Sequence, residues 1–286
     1  MLFNRRRMLL ATSVALLLPL ARGSLAAAGG GGRVIEIGLM PYMPTARLFA
    51  VHESLRRYIE ATFKRPAVLS TAPDFHTFQR RVLEGELDLA LTGPNIGWQA
   101  HLDGPMTPVA VSRKLVVIQI MVARDGPIRS LADLRGKAVA TIDAITTTSQ
   151  TTVVMLREAG LEAGRDVQLR HEKTPFNSAQ NVVLGETAAA GFPNVSLRTL
   201  PPEMQAKLRI IAESDPLPGV MFISRRAPGI PSPEQFQAAL LGFADTPEGK
   251  IYIRDLDHAG LQKPDFKQLK ILDRLIPEVR RAMAKS

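Results

Sequence analysis

The chain has 286 residues, 45% of them hydrophobic and 22% charged, with a formal net charge of +9, which suits one large or two medium globular domains and shows no sign of large-scale disorder. It contains no cysteine, which excludes disulfides, thiolate metal sites, a cysteine nucleophile and a lipid anchor on an N-terminal cysteine. Beyond Arg5, Arg6, Arg7 and Arg22, the remaining 32 basic and 27 acidic residues leave +5, and they are interspersed without aromatic interleaving, which argues against nucleic acid and suits a small anionic ligand.

The N-terminus reads as an export signal over residues 1–28. Asn4-Arg5-Arg6-Arg7 is a charged start, Met8 to Leu20 an apolar run too short to span a bilayer, and Ser24 to Ala28 a small-residue zone, with cleavage expected near Ala26 or Ala28. Arg5-Arg6 also has the look of a twin-arginine signal. The mature protein is therefore expected in the periplasm, without a lipid anchor. Gly29 to Gly32 precede a strand, the wrong side for a dinucleotide loop.

Val34 to Leu39 is a short strand, stopped by Pro41 and Pro44; ligands of open α/β sheets bind at such carboxyl ends. A helix is expected over Thr45 to Phe63, a strand at Ala67 to Ser70, a helix from Asp74 to Leu83, and a strand at Leu87 to Thr92 that runs into Gly93-Pro94-Asn95. A short helix and the apolar strand Leu115 to Ala123 complete a first α/β lobe over residues 33–123. After Gly126-Pro127 the pattern restarts. Ser130 opens a short helix, Arg135-Gly136-Lys137 turns into a strand at Ala138 to Ile142, and Thr146, Thr147, Thr148 and Ser149 begin the next helix, which Gly160 ends. Strands at Val167 to Leu169, Thr187 to Phe192 and Leu208 to Ala212 belong with it, giving a second lobe over 124–219. Ser214 to Gly219 has the composition of a crossing between lobes. Val220 to Ser224 is a strand, and Pro233 to Phe243 and Lys267 to Ala284 are helical, so residues 220–286 are expected to return to the first lobe.

Catalytic and metal chemistry have little support. The five histidines lie in separate segments with no metal-ligand spacing, and neither a nucleophile elbow nor a phosphate-binding P-loop is present. His171-Glu172 are adjacent loop residues, a poor acid/base pair. Binding is better supported, because Tyr42, Asn95 and the run Thr146 to Ser149 all stand at strand carboxyl ends. The helix start at Thr147 is rich in hydroxyls and free of acids, and its first backbone N–H groups lack intrahelical partners, which makes it an anion cradle. Each residue also has a local reading: Tyr42 as a packed aromatic, Asn95 as a helix cap, the threonines as caps.

The series Gly38-Leu39-Met40-Pro41-Tyr42, Gly85-Glu86-Leu87-Asp88-Leu89-Ala90, Gly93-Pro94, Ser130-Leu131-Ala132-Asp133-Leu134-Arg135-Gly136-Lys137, Ser214-Asp215-Pro216-Leu217-Pro218 and Thr246-Pro247-Glu248-Gly249 resembles the phosphate/phosphite/phosphonate-binding proteins of ABC importers. The resemblance covers nearly the whole mature chain. It implies a type II periplasmic-binding-protein fold, two α/β lobes joined by two crossing strands, which closes on a small oxyanion without cofactor or catalysis. It further implies a monomer that serves a membrane permease; a sensor presenting its ligand to a signalling receptor is the alternative. By position, Thr146 to Ser149 match the family's Ser/Thr motif, with Gln150 in place of its glycine, and Tyr42 matches its first-lobe tyrosine. Gly97 and Trp98 stand near the place of a further aromatic. Asn177 and Ala188 take the places of a histidine and an acid, and Ala188 is thereby expected to disfavour an aminoalkyl-phosphonate.

Overall fold

The computed structural model describes residues 33–284; the expected export signal, residues 1–28, and Gly29 to Gly32 lie outside the described residues. β1 (Ile35–Leu39) buries Ile35, Ile37 and Leu39 completely. α1 (Thr45–Phe63) lays Leu48, His52, Leu55 and Ile59 inward, the three- and four-residue spacing of a helix face. β2 (Ala67–Ser70) follows, then α2 (Phe75–Leu83), whose start is capped by the Asp74 carboxylate accepting from the Thr77 N–H. β3 (Leu89–Thr92), α3 (Pro94–Asp103) and β4 (Met106–Ser112) complete this run.

β5 (Ile118–Ala123) is followed by β6 (Ala138–Thr141), α4 (Thr147–Glu158), β7 (Gln168–His171), α5 (Pro175–Val183) and β8 (Ala189–Pro193). Two single-turn helices, α6 (Asn194–Leu197) and α7 (Pro202–Gln205), lead to β9 (Leu208–Glu213). The chain then makes β10 (Met221–Arg225), α8 (Pro233–Asp245), α9 (Pro247–Asp255), β11 (Leu261–Gln262), α10 (Phe266–Leu269) and α11 (Ile276–Met283).

The strands form two sheets, in the orders β11-β4-β10-β3-β1-β2 and β7-β6-β8-β5-β9. In the first, β1 is parallel to β2 and β3, and β10 runs antiparallel between β3 and β4. In the second, β6 is parallel to β7 and β8, and β5 is antiparallel to β8 and β9. This corrects the sequence reading of β5, which was expected to end the first lobe and instead lies inside the second sheet. An apolar run has the same pattern in either sheet, so its pattern could not assign it. β11 is a second difference, a two-residue strand on the edge of the first sheet in a region expected to hold helices alone.

The chain passes between the sheets twice, and the two passages are tied together where Val116 and Leu217 exchange backbone hydrogen bonds of 2.9 and 2.8 Å. Ser214, in the segment read as a crossing, accepts from the Ile118 N–H at 3.0 Å. Each sheet is packed by apolar side chains on both faces. Ile37, Leu55, Phe222 and Phe236 belong to one core of the first sheet, and Ile120, Val139 and Leu156 to one core of the second.

Two fixtures set the strand ends. Asp88, fully buried just before β3, accepts from the Glu36 N–H at 2.9 Å and pairs with Arg225 of β10 at 2.7 Å and Arg33 at 3.2 Å. Such a group is tolerated inside because every charge is paired and hydrogen-bonded. In the second sheet a Cβ on Gly191 of β8 would collide with the Thr152 hydroxyl, so glycine lets α4 lie close on the strand. α11 then ties the lobes across their junction: Arg280 pairs with Asp103 of α3, and Glu278 pairs with Arg157 of α4.

Candidate functional site

α3 and α4 begin at the carboxyl ends of β3 and β6, and the two starts meet. The Thr147 hydroxyl donates to Asn95 Oδ1 at 2.7 Å, and Asn95 Nδ2 donates to the Ile145 carbonyl at 2.7 Å. Ile96, Ile145 and Val279 close an apolar cluster beside this contact, with Met40, Phe75 and Met283 against it. The Gly93 N–H is turned to Met40 Sδ at 3.2 Å. Asn95 is fully buried and Thr147 partly so. Asn95 is therefore neither a free ligand donor nor a simple cap in this closed arrangement; it bridges the lobes.

The four hydroxyl residues divide between the two readings. Thr146 is the cap: its oxygen accepts from the Ser149 N–H at 3.4 Å while its proton goes to the Asp143 carbonyl at 2.7 Å. The Ser149 hydroxyl donates to the Ile142 carbonyl at 2.6 Å. A hydroxyl carries one proton, so these two side chains hold the strand-to-helix turn together and offer an anion no donor. Thr147 reaches across to Asn95, and the Thr148 hydroxyl has no partner among the described residues. The N–H groups of Thr147 and Thr148 occupy the first two helical positions, where no intrahelical acceptor exists. Gln150, found where the resemblance leads one to expect glycine, is buried and donates to the Ala144 carbonyl.

The electrostatics of this meeting are unusual. Helices of like polarity point their positive ends at one another, which is unfavourable unless an anion lies between them. The first turns of α3 and α4 contain no acid, and neither do those of α1, α2 and α5. Away from the strand ends of this face, α8, α9 and α11 carry Glu234, Glu248 and Glu278 in the same positions. The Asp143 carboxylate, four residues before Thr147, accepts from the Ile145 N–H at 3.0 Å and faces His76 of α2 at 3.7 Å.

Tyr42 lies at the end of β1, 39% exposed, with its hydroxyl 3.0 Å from Nε2 of His52. Burial pushes its pKa up to about 12, opposed by the Arg47 charge. Burial holds His52 neutral, its pKa lowered to about 3, with His258 adding to the effect. Sequence reasoning missed His52 and its second partner, Tyr252. The first is one of several inward residues of α1, and the second is 200 positions away.

The other residues singled out by sequence make other contacts. Asn177 stands in the first turn of α5, where its N–H is held by the Thr174 cap at 3.2 Å, and its side chain meets none of the others among the described residues. Ala188 precedes β8, pairing with the Ala138 carbonyl at the start of β6, the end of the sheet opposite α4. Its missing carboxylate thus has no bearing on a ligand's ammonium. Gly97 faces the sheet, where an added Cβ would lie 2.5 Å from the Thr92 hydroxyl and 2.6 Å from Met221 Sδ. Trp98 donates to Asp273 at 2.6 Å, away from the cleft. His171 and Glu172 diverge, the first to the Ile142 carbonyl at 2.8 Å and the second to Asn181 at 2.7 Å. Among the described residues no group of three or more His, Asp or Glu is placed to hold a metal ion.

Residues 37–269, well over half of the chain, match the family described as ABC transporter, phosphonate, periplasmic substrate-binding protein. The chain belongs to this family. Solved structures agree in fold. A binding protein component of an ABC phosphonate transporter from Pseudomonas aeruginosa has a TM-score of 0.71 at 16% identity, covering 88% of each chain. PhnD1 from Prochlorococcus marinus, in complex with methylphosphonate, has 0.73 at 13%, covering 87% of this chain and 98% of its own. A Xanthomonas citri protein bound to ATP has 0.76 at 20%, covering 88% and 98%. No curated protein matches the chain. The fold is that of the type II periplasmic binding proteins. Members of the phosphonate-binding family are substrate-binding transporter components, not enzymes, and they are periplasmic. No helix among the described residues is long and apolar enough to cross a membrane.

Proposed function

We propose that this member of the phosphonate-binding family is the exported solute-binding protein of an ABC importer and captures a small phosphorus oxyanion, a phosphonate, phosphite or phosphate, between its lobes. The observation that carries the proposal is the meeting of two acid-free helix starts, α3 and α4, across the cleft. An oxyanion there would neutralise two positive helix ends and take the N–H groups of Thr147 and Thr148. Asn95, Thr147, Thr148 and Tyr42 would line it. Thr146, Ser149 and Asn177, which the resemblance also implies, serve as a cap, a strand-end tie and an α5 residue. Ligand access requires the Asn95–Thr147 contact to part as the lobes swing about the Val116–Leu217 crossing, and a permease would read the reclosed form.

Residues 1–28 would direct export and be removed, leaving a monomer in the periplasm that needs no cofactor; sequencing the N-terminus of the secreted protein checks the cleavage. The ligand assignment is tested by thermal unfolding with phosphate, phosphite, methylphosphonate, sulfate and nitrate. A ligand at a hundred times its dissociation constant adds about 2.7 kcal/mol. Absence of a shift with all three phosphorus oxyanions removes the assignment while leaving the family membership intact.

A further inference from the structure

Tyr42 is one end of a chain of three hydrogen-bonding side chains. Its hydroxyl lies 3.0 Å from Nε2 of His52, and Nδ1 of the same ring lies 2.9 Å from the hydroxyl of Tyr252. His52 is fully buried on α1 and Tyr252 is buried on α9, while Tyr42 alone has an open side. The His52 and Tyr252 rings meet edge-on, centroids 5.4 Å apart. His258, whose ring lies 6.0 Å from that of Tyr252, makes no hydrogen bond to it among the described residues.

A neutral imidazole has one N–H, so two arrangements exist. With the proton on Nδ1, the ring donates to Tyr252, Tyr42 donates inward to Nε2, and the Tyr252 proton is buried without an acceptor. With the proton on Nε2, Tyr252 donates to Nδ1, the ring donates to Tyr42, and the Tyr42 proton is released outward. The second arrangement alone gives an acceptor to every proton of the buried pair, His52 and Tyr252. Leaving one unsatisfied lowers the population of the first roughly fivefold or more.

We propose that His52 and Tyr252 are positioning residues that fix the Tyr42 hydroxyl as an outward donor, so that the first lobe accepts a deprotonated ligand oxygen and discriminates against a hydroxyl at the same place. The Tyr42 oxygen already receives the His52 proton and has little capacity to accept from a ligand. This rests on the reading of Tyr42 as a ligand residue given above. Burial keeps His52 uncharged and Tyr42 protonated across the neutral range, so the arrangement holds where the protein works.

The test has a spectroscopic arm and a binding arm. In the 15N-labelled protein at neutral pH, long-range proton–nitrogen correlations of the His52 ring, assigned by their loss in His52→Gln, are expected to show the Nε2–H tautomer; the Nδ1–H tautomer overturns the proposal. Tyr252→Phe removes the donor to Nδ1 and is expected to mix the tautomers. In calorimetry with methylphosphonate, phosphite and phosphate, Tyr42→Phe is expected to weaken the bound anion roughly ten- to a hundredfold. Tyr252→Phe, which leaves Tyr42 in place, is expected to weaken it roughly three- to tenfold. Wild-type affinity in Tyr252→Phe beside a weakened Tyr42→Phe overturns the positioning role. If the wild-type protein binds none of the three anions, or Tyr42→Phe binds like wild type, the ligand reading of Tyr42 falls and the selective role falls with it. The tautomer measurement needs no ligand and separates that failure from a failure of the relay.

Discussion

α3 and α4 both spring from the carboxyl end of a parallel strand and both start without an acid, yet the lobes bring different materials to the cleft. The second lobe offers backbone N–H groups at Thr147 and Thr148, while its hydroxyls at Thr146 and Ser149 are turned onto the carbonyls of Asp143 and Ile142. The first lobe would offer, in the proposed site, side chains, Asn95 and Tyr42, whose orientation depends on Ile145, His52 and Tyr252. A backbone donor is fixed by the helix itself and is indifferent to pH and to most substitutions. A side-chain donor is set by partners elsewhere, so remote residues can retune it. The same contrast recurs at the strand starts, where buried Asp88 anchors the first sheet and Ala188 stands in the second.

Several substitutions break or sharpen this contrast. The largest expected effect comes from Asp88→Ala, which makes the first lobe resemble the second at its strand start. It strands Arg225 and the Glu36 N–H, and should cost about 3–5 kcal/mol in urea unfolding. Next are Asn95→Asp and Thr147→Asp, which place a carboxylate at one helix start or the other. Each should weaken phosphorus-oxyanion binding about a hundredfold or more, because like charges in contact repel by about 3–4 kcal/mol near a protein surface. Asn95→Asp should also lower the unfolding temperature of the ligand-free protein, since it buries a carboxylate and sets it against the Ile145 carbonyl that Asn95 now donates to.

Acid should act on the first lobe. The folded-state pKa of His52 is lowered to about 3 from the ordinary 6.5, and burial lowers that of His258 to about 4. Between those values and 6.5 the unfolded chain binds more protons than the native one, so stability is complete above pH 6.5 and declines as the pH falls below it. His52 alone should remove about 2 kcal/mol by about pH 5, measurable as a fall in the urea midpoint. The smallest effect separates two close contacts. Gly191→Ala pushes on Thr152, a β-branched helix residue whose hydroxyl donates to the Thr148 carbonyl at 2.8 Å. Gly97→Ala pushes partly on flexible Met221. The first should cost about 1–3 kcal/mol and the second less, read by thermal unfolding.

Much of the fold was legible because its signals are local. Ile35, Ile37 and Leu39 alternate, Leu48, Leu55 and Ile59 share a helix face, and Ser214 to Gly219 has the composition of a crossing. The sheet that holds β5 was illegible, because a largely apolar strand carries little mark of its neighbours. At the site, the strand-end position of Tyr42, Asn95 and Thr147 was readable from Pro41, Gly93 and the hydroxyl run. The use of each hydroxyl was not, since capping and anion binding call for the same residues. Ala188 was misplaced for a related reason: a residue matched along the sequence can sit at either end of its strand, and only pairing with Ala138 decides which.

α11 has a consequence for how the molecule is made. Its Arg280 is 177 positions from Asp103 and its Glu278 is 121 from Arg157. Contacts so remote carry a large loop-closure cost and form after local ones. β6, α4 and β8 can assemble among themselves long before that segment is in place, as can β1, α1 and β3. The clasp that ties α3 to α4 is then expected to form late, so replacing Arg280 and Glu278 by alanine should speed unfolding while changing the refolding rate little.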